Sequence, residues 1–243
     1  MFFISRFSER RMFALLKGFV LGMSAYMIGT LMDFTISIES MREMLNNTPQ
    51  LFADAIDRIQ MNLLVISPVI YALTDTYLLD KTTQSFDGFK GVSVLCVHHI
   101  GYFIAHKAMH QIPALRQFHE FHHQYETLIV PSVGNAVSTE EFLIAYVAPF
   151  LLGAAIIRPN EITFMIPIGA ISIFNNIIHC KELRYVKWSP LLVSPEQHLE
   201  HHEHRAKHFA APILNIDYLI GKCNNQYKSM TCEHPIQIEE KSD

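Results

Sequence analysis

The stretch HKAMHQIPALRQFHEFHH, residues 106–123, puts five imidazoles, His106, His110, His119, His122 and His123, into eighteen positions. What such a density means depends on the solvent the chain is built for. Of 243 residues, 50% are hydrophobic and only 17% are charged, with a mean hydropathy of +0.18. Ordinary globular chains carry roughly 25% charged residues. The missing polarity has to be matched by a place to put apolar surface, and a bilayer is the simplest one. A net charge of −4 without a basic run argues against nucleic acid as a partner. The four cysteines, Cys96, Cys180, Cys223 and Cys232, are scattered and form no CxxC. Neither a zinc knuckle nor a disulfide framework is indicated, and they are read as plain thiols.

Five segments run without formal charge: residues 18–32, 59–74, 91–105, 142–157 and 162–178, each 15 to 17 long. A spanning helix needs about 20 mostly apolar residues, with about 17 as the lower end, so these segments must recruit their flanks. Arg6, Arg10 and Arg11 ahead of the first imitate a signal peptide, yet no small-residue cleavage pattern follows, and a retained first helix is the reading. The expected fold is an all-α integral membrane protein with four to five membrane helices and a cytoplasmic helical cap carrying the histidines. The turn at residues 158–160 makes a hairpin of the last two segments, with His179 at its far end. Three regions follow: N-terminal membrane helices in 1–90, a histidine-bearing region in 91–221 and a polar tail in 222–243. If all five segments span, the histidines and the N-terminal arginines fall on opposite faces, against the tendency of positive charge to stay cytoplasmic. The expectation drawn is that the histidines are cytoplasmic. One early segment, 18–32 or the polar stretch after it, is then re-entrant or interfacial.

Spacing turns the histidines into chemistry. On a helix, residues three and four apart share a face, which aligns His106 with His110 and His119 with both His122 and His123. The pattern recurs as His198, His201 and His202. His99 returns to within roughly 20° of the His106–His110 stripe, whereas His98 points elsewhere and is read, with His204 and His234, as a surface residue. Neutral imidazole suits zinc, copper, nickel and iron, and eight or more imidazoles exceed the four ligands of a structural zinc site. The number suggests two metals. Glu120, Glu200 and Glu203 sit between the histidines and face away from their stripe, so the site would be nearly all nitrogen. A solvated polar cap without metal is the plainer alternative. Phe118, Phe121, Phe142 and Tyr146 either line a lipid slot or serve as core and bilayer-facing residues.

Taken in order, HKAMH, then FHEFHH, a helical hairpin, FNNIIHCKEL and SPEQHLEHH resemble the sterol desaturase/fatty acid hydroxylase superfamily of membrane di-iron oxygenases. The likeness covers about residues 97–221 and closes on HFAAPILNIDYLIGK. It implies two iron ions held by His106, His110, His119, His122, His123, His179, His198, His201 and His202. It also implies O2-dependent hydroxylation or desaturation of an acyl chain or sterol-like lipid taken from the bilayer. Electrons would come from a separate cytochrome b5 or ferredoxin-type donor. The membrane would be the endoplasmic reticulum in a eukaryote or the inner membrane in a bacterium, with the active site facing the cytoplasm. The chain departs from the family pattern at several places. Lys107 stands for an arginine, His99 for an aspartate, Asn175 for a histidine and His208 for an asparagine, and STEE at 138–141 replaces a His-Pro-x-Glu. His99 and His208 are open candidates for joining the metal site, and Glu141 is open between a structural ion pair and a catalytic role. The rivals are a non-catalytic metal-binding or metal-transporting membrane protein and, given Asn175, a family member that has lost activity.

Overall fold

The computed structural model describes residues 2–126 and 128–232, with side chains for 9–126 and 128–224. The elements are α1 (Phe2–Thr35), α2 (Ile38–Asn47), α3 (Pro49–Tyr77), α4 (Gly88–Gln111), α5 (Pro113–His119), α6 (Thr139–Ile157), α7 (Glu161–Ile178), α8 (Pro195–His204) and α9 (Ile216–Cys232). Among the described residues there is no β-strand, only the isolated bridges Asp80–Asn160 and Leu192–Leu214. Helices α1, α3, α4, α6 and α7 are long and apolar enough to cross a membrane. The shortest, α7, has 18 residues and at 1.5 Å per residue reaches about 27 Å, close to the roughly 30 Å of a hydrocarbon core. Their outward faces carry exposed aliphatic residues, among them Val20, Leu31, Val69, Ile100, Ile156 and Ile166. A soluble helix would place polar residues there.

The direction of each helix follows from its contacts. At one end of the bundle Lys17 Nζ reaches the Glu161 carboxylate at 2.5 and 2.7 Å, and Arg11 donates to the Tyr77 hydroxyl. At the other, the Ser132 N–H donates to Asp33 Oδ1 at 2.9 Å. Helix α1 therefore runs the full depth, and the expected re-entry of residues 18–32 is not what the chain does. The stretch after it, α2, does lie across the end of the bundle, burying Met41 and Met44 and exposing Glu39 and Arg42. Lying there, it does not alter the parity, so the N-terminus and the histidines sit at opposite ends. Helix α3 descends, α4 ascends, and α6 and α7 form the expected hairpin. Its turn is closed by Arg158 at φ 49° and by Asn160, whose side chain accepts from Thr163 N–H.

Close helix approach is set by small residues. A Cβ on Gly22 would lie 1.9 Å from the Leu63 carbonyl oxygen, and one on Gly18 would lie 2.7 Å from Pro68 Cα. Only a residue without a side chain lets α1 and α3 touch backbone to backbone. Pro68 and Pro149 follow π-helical turns at Met61–Ile66 and Phe142–Val147. Proline cannot continue the α ladder, and the wider turn absorbs the lost bond. Above the bundle, Met44, Ile59, Tyr125, Val130, Val133 and Leu199 form one apolar core of the cap, and Tyr102, Met109, Val137, Ile178 and Val193 form another. Helix α8 starts in a capping box between Ser194 and Gln197. Helix α9 crosses the expected boundary at 221/222, and residues 233–243 lie outside the described residues.

Candidate metal centre

The nine box histidines meet at the cap end of the bundle. His106 and His110 sit one turn apart near the end of α4, His119 ends α5, and His179 caps the C-terminus of α7. His198, His201 and His202 lie on α8. Eight of the nine are at most 2% exposed, and only His110 is half-buried.

They form two adjoining clusters, in each of which the candidate nitrogens lie within 4.8 Å of one another. Cluster A holds His106, His110, His119, His123 and His201, and cluster B holds His122, His179, His198 and His202. Each HxxHH box is thus divided. His119 and His123 go to A while His122 goes to B, and His198 and His202 go to B while His201 goes to A. The face that the offsets of three and four assign to each box is therefore shared between two clusters. Helix α5 stops at His119 and residues 122–124 form a 3₁₀ turn. On α8, neighbours in sequence point about 100° apart.

Hydrogen bonding shows what the clusters are shaped for. His106 Nδ1–H donates to the Phe209 carbonyl at 2.8 Å, and His119 Nδ1–H donates to Glu141 Oε1 at 2.7 Å. A neutral imidazole carries one N–H, so both Nε2 atoms present lone pairs, yet they face each other at 2.9 Å. Two lone pairs that close repel unless a cation lies beside them. His198 Nε2 approaches the bare Nε2 of His179 at 2.9 Å; His179 Nδ1–H donates to the Asn175 carbonyl, and its Nε2 also faces His122 at 3.3 Å. For a metal–nitrogen bond of about 2.1 Å, adjacent ligand nitrogens lie about 3.0 to 3.4 Å apart, in line with these spacings. Burial holds the imidazoles of His119, His179, His198, His201 and His202 well below their usual value and pushes His122 down to about 4. At pH 7 they are neutral, the form that binds a metal. Several of their nitrogens, including His202 Nδ1 and Nε2 and His201 Nε2, find no protein partner. The residues present fit divalent metal ions.

The remaining histidines divide. His99 is buried on α4 with Nδ1 unpartnered but belongs to neither cluster. His98, expected at the surface, is 0% exposed and packs against Phe150 at 4.1 Å between centroids. A helix enclosed by the bundle buries faces that a stripe argument leaves outside. His208 pairs with Glu200, His204 is exposed, and His234 lies outside the described residues. Glu120, Glu200 and Glu203 do turn outward, to Arg205, Lys207 and Arg184. Glu141 is buried on the first turn of α6 and orients His119. The carbonyls of Phe209, Lys207 and Asn175 that fix three further rings carry no side-chain signal and were illegible in the sequence.

Two spaces lead toward the clusters. One is an apolar cavity of about 110 Å³ inside the bundle, lined by Leu21, Ala25, Leu63, Phe142, Tyr146 and Phe150 and ending at Asn135 and Asn175 below His179. Phe142 and Tyr146 line this cavity and also pack in the core beside Tyr102, whereas Phe121 packs on Tyr125 and under Arg58. The other is a polar mouth of about 470 Å³ open at the cap, lined by His110, His119 and His123 with Arg116 and Arg205. Cluster A lines this mouth, and the apolar cavity reaches Asn175, one helical turn before His179 of cluster B.

No curated protein and no solved structure matches the chain. A family model, fatty acid hydroxylase, matches residues 91–222, more than half of the chain and the whole stretch that supplies both clusters. Order of boxes, spacing and convergence agree with that match: the chain belongs to the fatty acid hydroxylase family, within the sterol desaturase/fatty acid hydroxylase superfamily.

Proposed function

We propose that this membrane protein is a di-iron, O2-dependent oxygenase that hydroxylates or desaturates an acyl chain or sterol-like lipid. The observation that carries the reading is the convergence of nine imidazoles, from four separated stretches, into two adjoining clusters at the end of an apolar cavity. Two iron ions bound there would supply the O2-dependent oxidant for an unactivated C–H bond, which acid–base side chains do not attack. His106, His110, His119, His123 and His201 would hold one ion, and His122, His179, His198 and His202 the other. Glu141 and the Phe209, Lys207 and Asn175 carbonyls keep Nδ1 protonated in their partners and so aim Nε2 inward. Phe142, Tyr146 and Phe150 guide an apolar chain between the helices and exclude water from its path.

Electrons would come from a separate cytochrome b5 or ferredoxin-type donor approaching the cap. The polar mouth beside cluster A supports that side, since it is the water-facing approach to the centre. A cytoplasmic cap is supported by charge. Arg42, Arg58, Lys107, Arg116, Lys181, Arg184, Lys187, Arg205 and Lys207 at this end outnumber Arg6, Arg10, Arg11, Lys17, Lys81, Lys90 and Arg158 at the other. The bias over all short loops then outweighs the N-terminal arginines. Metal transport is disfavoured because its ligands are commonly held at mid-membrane, whereas these lie at the cap end. The test is purification with metal analysis, together with mass spectrometry of lipids from a host of defined composition. Two irons per chain and O2-dependent products heavier by one oxygen or lighter by two hydrogens are expected. Tightly bound zinc alone, with no product, would overturn the reading.

A further inference from the structure

The two clusters are built alike except in one place. Each takes the first and last histidine of one HxxHH box and the middle histidine of the other. Cluster A adds two histidines one helical turn apart on α4, His106 and His110. Cluster B adds only His179, and the residue one turn before it on α7 is Asn175. Cluster A therefore has five nitrogen donors and cluster B has four. Asn175 is 2% exposed, and its amide is turned away, donating to the Gly134 carbonyl at 2.7 Å and to Asn135 Oδ1 at 3.3 Å. It also lines the cap end of the apolar cavity. Glycine at 134 is what lets the amide lie there, because a Cβ at that position would come within 2.6 Å of His179 Nδ1 and 3.1 Å of Asn175 Nδ2.

Resting on the di-metal reading, we propose that Asn175 leaves an open ligand position on the cluster B metal, facing the cavity, that accepts a small exogenous ligand of the size of a diatomic gas. The same position lies at the end of the path offered to the lipid. The B metal would thus be the one on the substrate side, while the five donors of cluster A would leave fewer open positions on the ion beside the aqueous mouth. Asn175 is in these terms a specificity-determining residue, acting through what it does not donate.

The experiment uses the full chain, loaded with ferrous iron in nanodiscs, with nitric oxide as the probe and its paramagnetic resonance signal counted per chain. Asn175→His and Asn175→Asp each supply a donor at the open place. Both are expected to keep two irons per chain and to bind one nitric oxide fewer than the wild type. Asn175→Ala, which adds no donor, should keep the wild-type number. Metal content serves as the check that each variant is assembled, and Asn175→Asp covers the case in which the histidine does not fit. Uptake of fewer than two irons by the wild type would overturn the di-metal reading and this inference with it. Two irons together with an unchanged nitric oxide count in both the histidine and the aspartate variants would overturn the inference alone.

Discussion

Glu141 is the most informative residue to remove, because its loss should have opposite signs with and without metal. Its carboxylate is fully buried, with Oε1 accepting from His119 Nδ1–H and Oε2 without a partner. With metal bound in cluster A, the carboxylate faces a ring attached to a cation. Without metal it is a buried acidic group beside a neutral imidazole, an arrangement that costs stability. In Glu141→Leu the His119 ring loses its orienting acceptor. Losing such a partner typically weakens metal affinity 10- to 100-fold, or about 1.4 to 2.7 kcal/mol at about 1.4 per tenfold. By mass action the same amount disappears from the stability that metal adds. For a chain of this size that shrinks the metal-induced rise in Tm by roughly 3 to 11 °C. Glu141→Gln keeps an acceptor for the ring and should retain most of the affinity. The assay is thermal unfolding in nanodiscs, with and without ferrous iron, alongside a metal titration that resolves two sites. The metal-free leucine variant is expected to be as stable as the wild type or more so, with only one of the two affinities weakened. Equal destabilisation of both forms, or a cluster A affinity within twofold of wild type, would refute the reasoning.

His122→Ala and His123→Ala, adjacent in sequence, should each lower iron content from two to one, but at different clusters. Loss of the cluster B ion should abolish nitric oxide binding at the cavity side, and loss of the cluster A ion should spare it, as read by the resonance signal. Gly22→Ala drives a Cβ into the Leu63 carbonyl and should cost about 1–3 kcal/mol, seen as a lowered Tm and less monodisperse protein. Gly169→Ala, with nothing within 4 Å of the added carbon, should be neutral. Ser172→Phe fills the cavity between α1, α6 and α7 and should cut lipid product at least tenfold while leaving two irons bound, measured by product mass spectrometry and metal analysis.

The long apolar segments, the hairpin at Arg158 and the nine histidines could be read from residues alone, because charge-free length and the offsets of three and four are local properties. What could not be read was set by tertiary contacts. The depth of α1 is fixed by Lys17 meeting Glu161 and Asp33 meeting Ser132, pairs 144 and 99 residues apart. The burial of His98 depends on Phe150 from α6 closing over that face of α4. The role of Glu141 stayed open because its partner, His119, is 22 residues away and on another helix. His208, an open candidate for the metal site, pairs with Glu200 and belongs to neither cluster.

The division of the HxxHH boxes has a geometric cause that the residue pattern contains but does not announce. On a helix, the fourth residue onward lies about 40° from the first and the third about 60° the other way. His201 and His202 on α8 therefore diverge by about 100°, and His122 and His123 on their 3₁₀ turn by about 120°, too far to reach one ion and well placed to reach two. A single box could do this for any pair of ions. Two boxes doing it reciprocally, as His119–His123 with His201 and His198–His202 with His122 do, would lock two ions to each other, since neither cluster can be assembled without a residue from the other's box. The turn carrying His122 and His123 and helix α8, which begins 72 residues after His123 at Pro195, would then be held together through the metals as well as through Arg205, which donates to Glu120 and to the His123 carbonyl. Buried imidazoles facing one another with lone pairs give no net attraction of their own. The cap should on this reasoning be the part of the molecule whose order depends most on metal, while the spanning helices, packed at Gly18, Gly22 and Gly101, keep theirs without it.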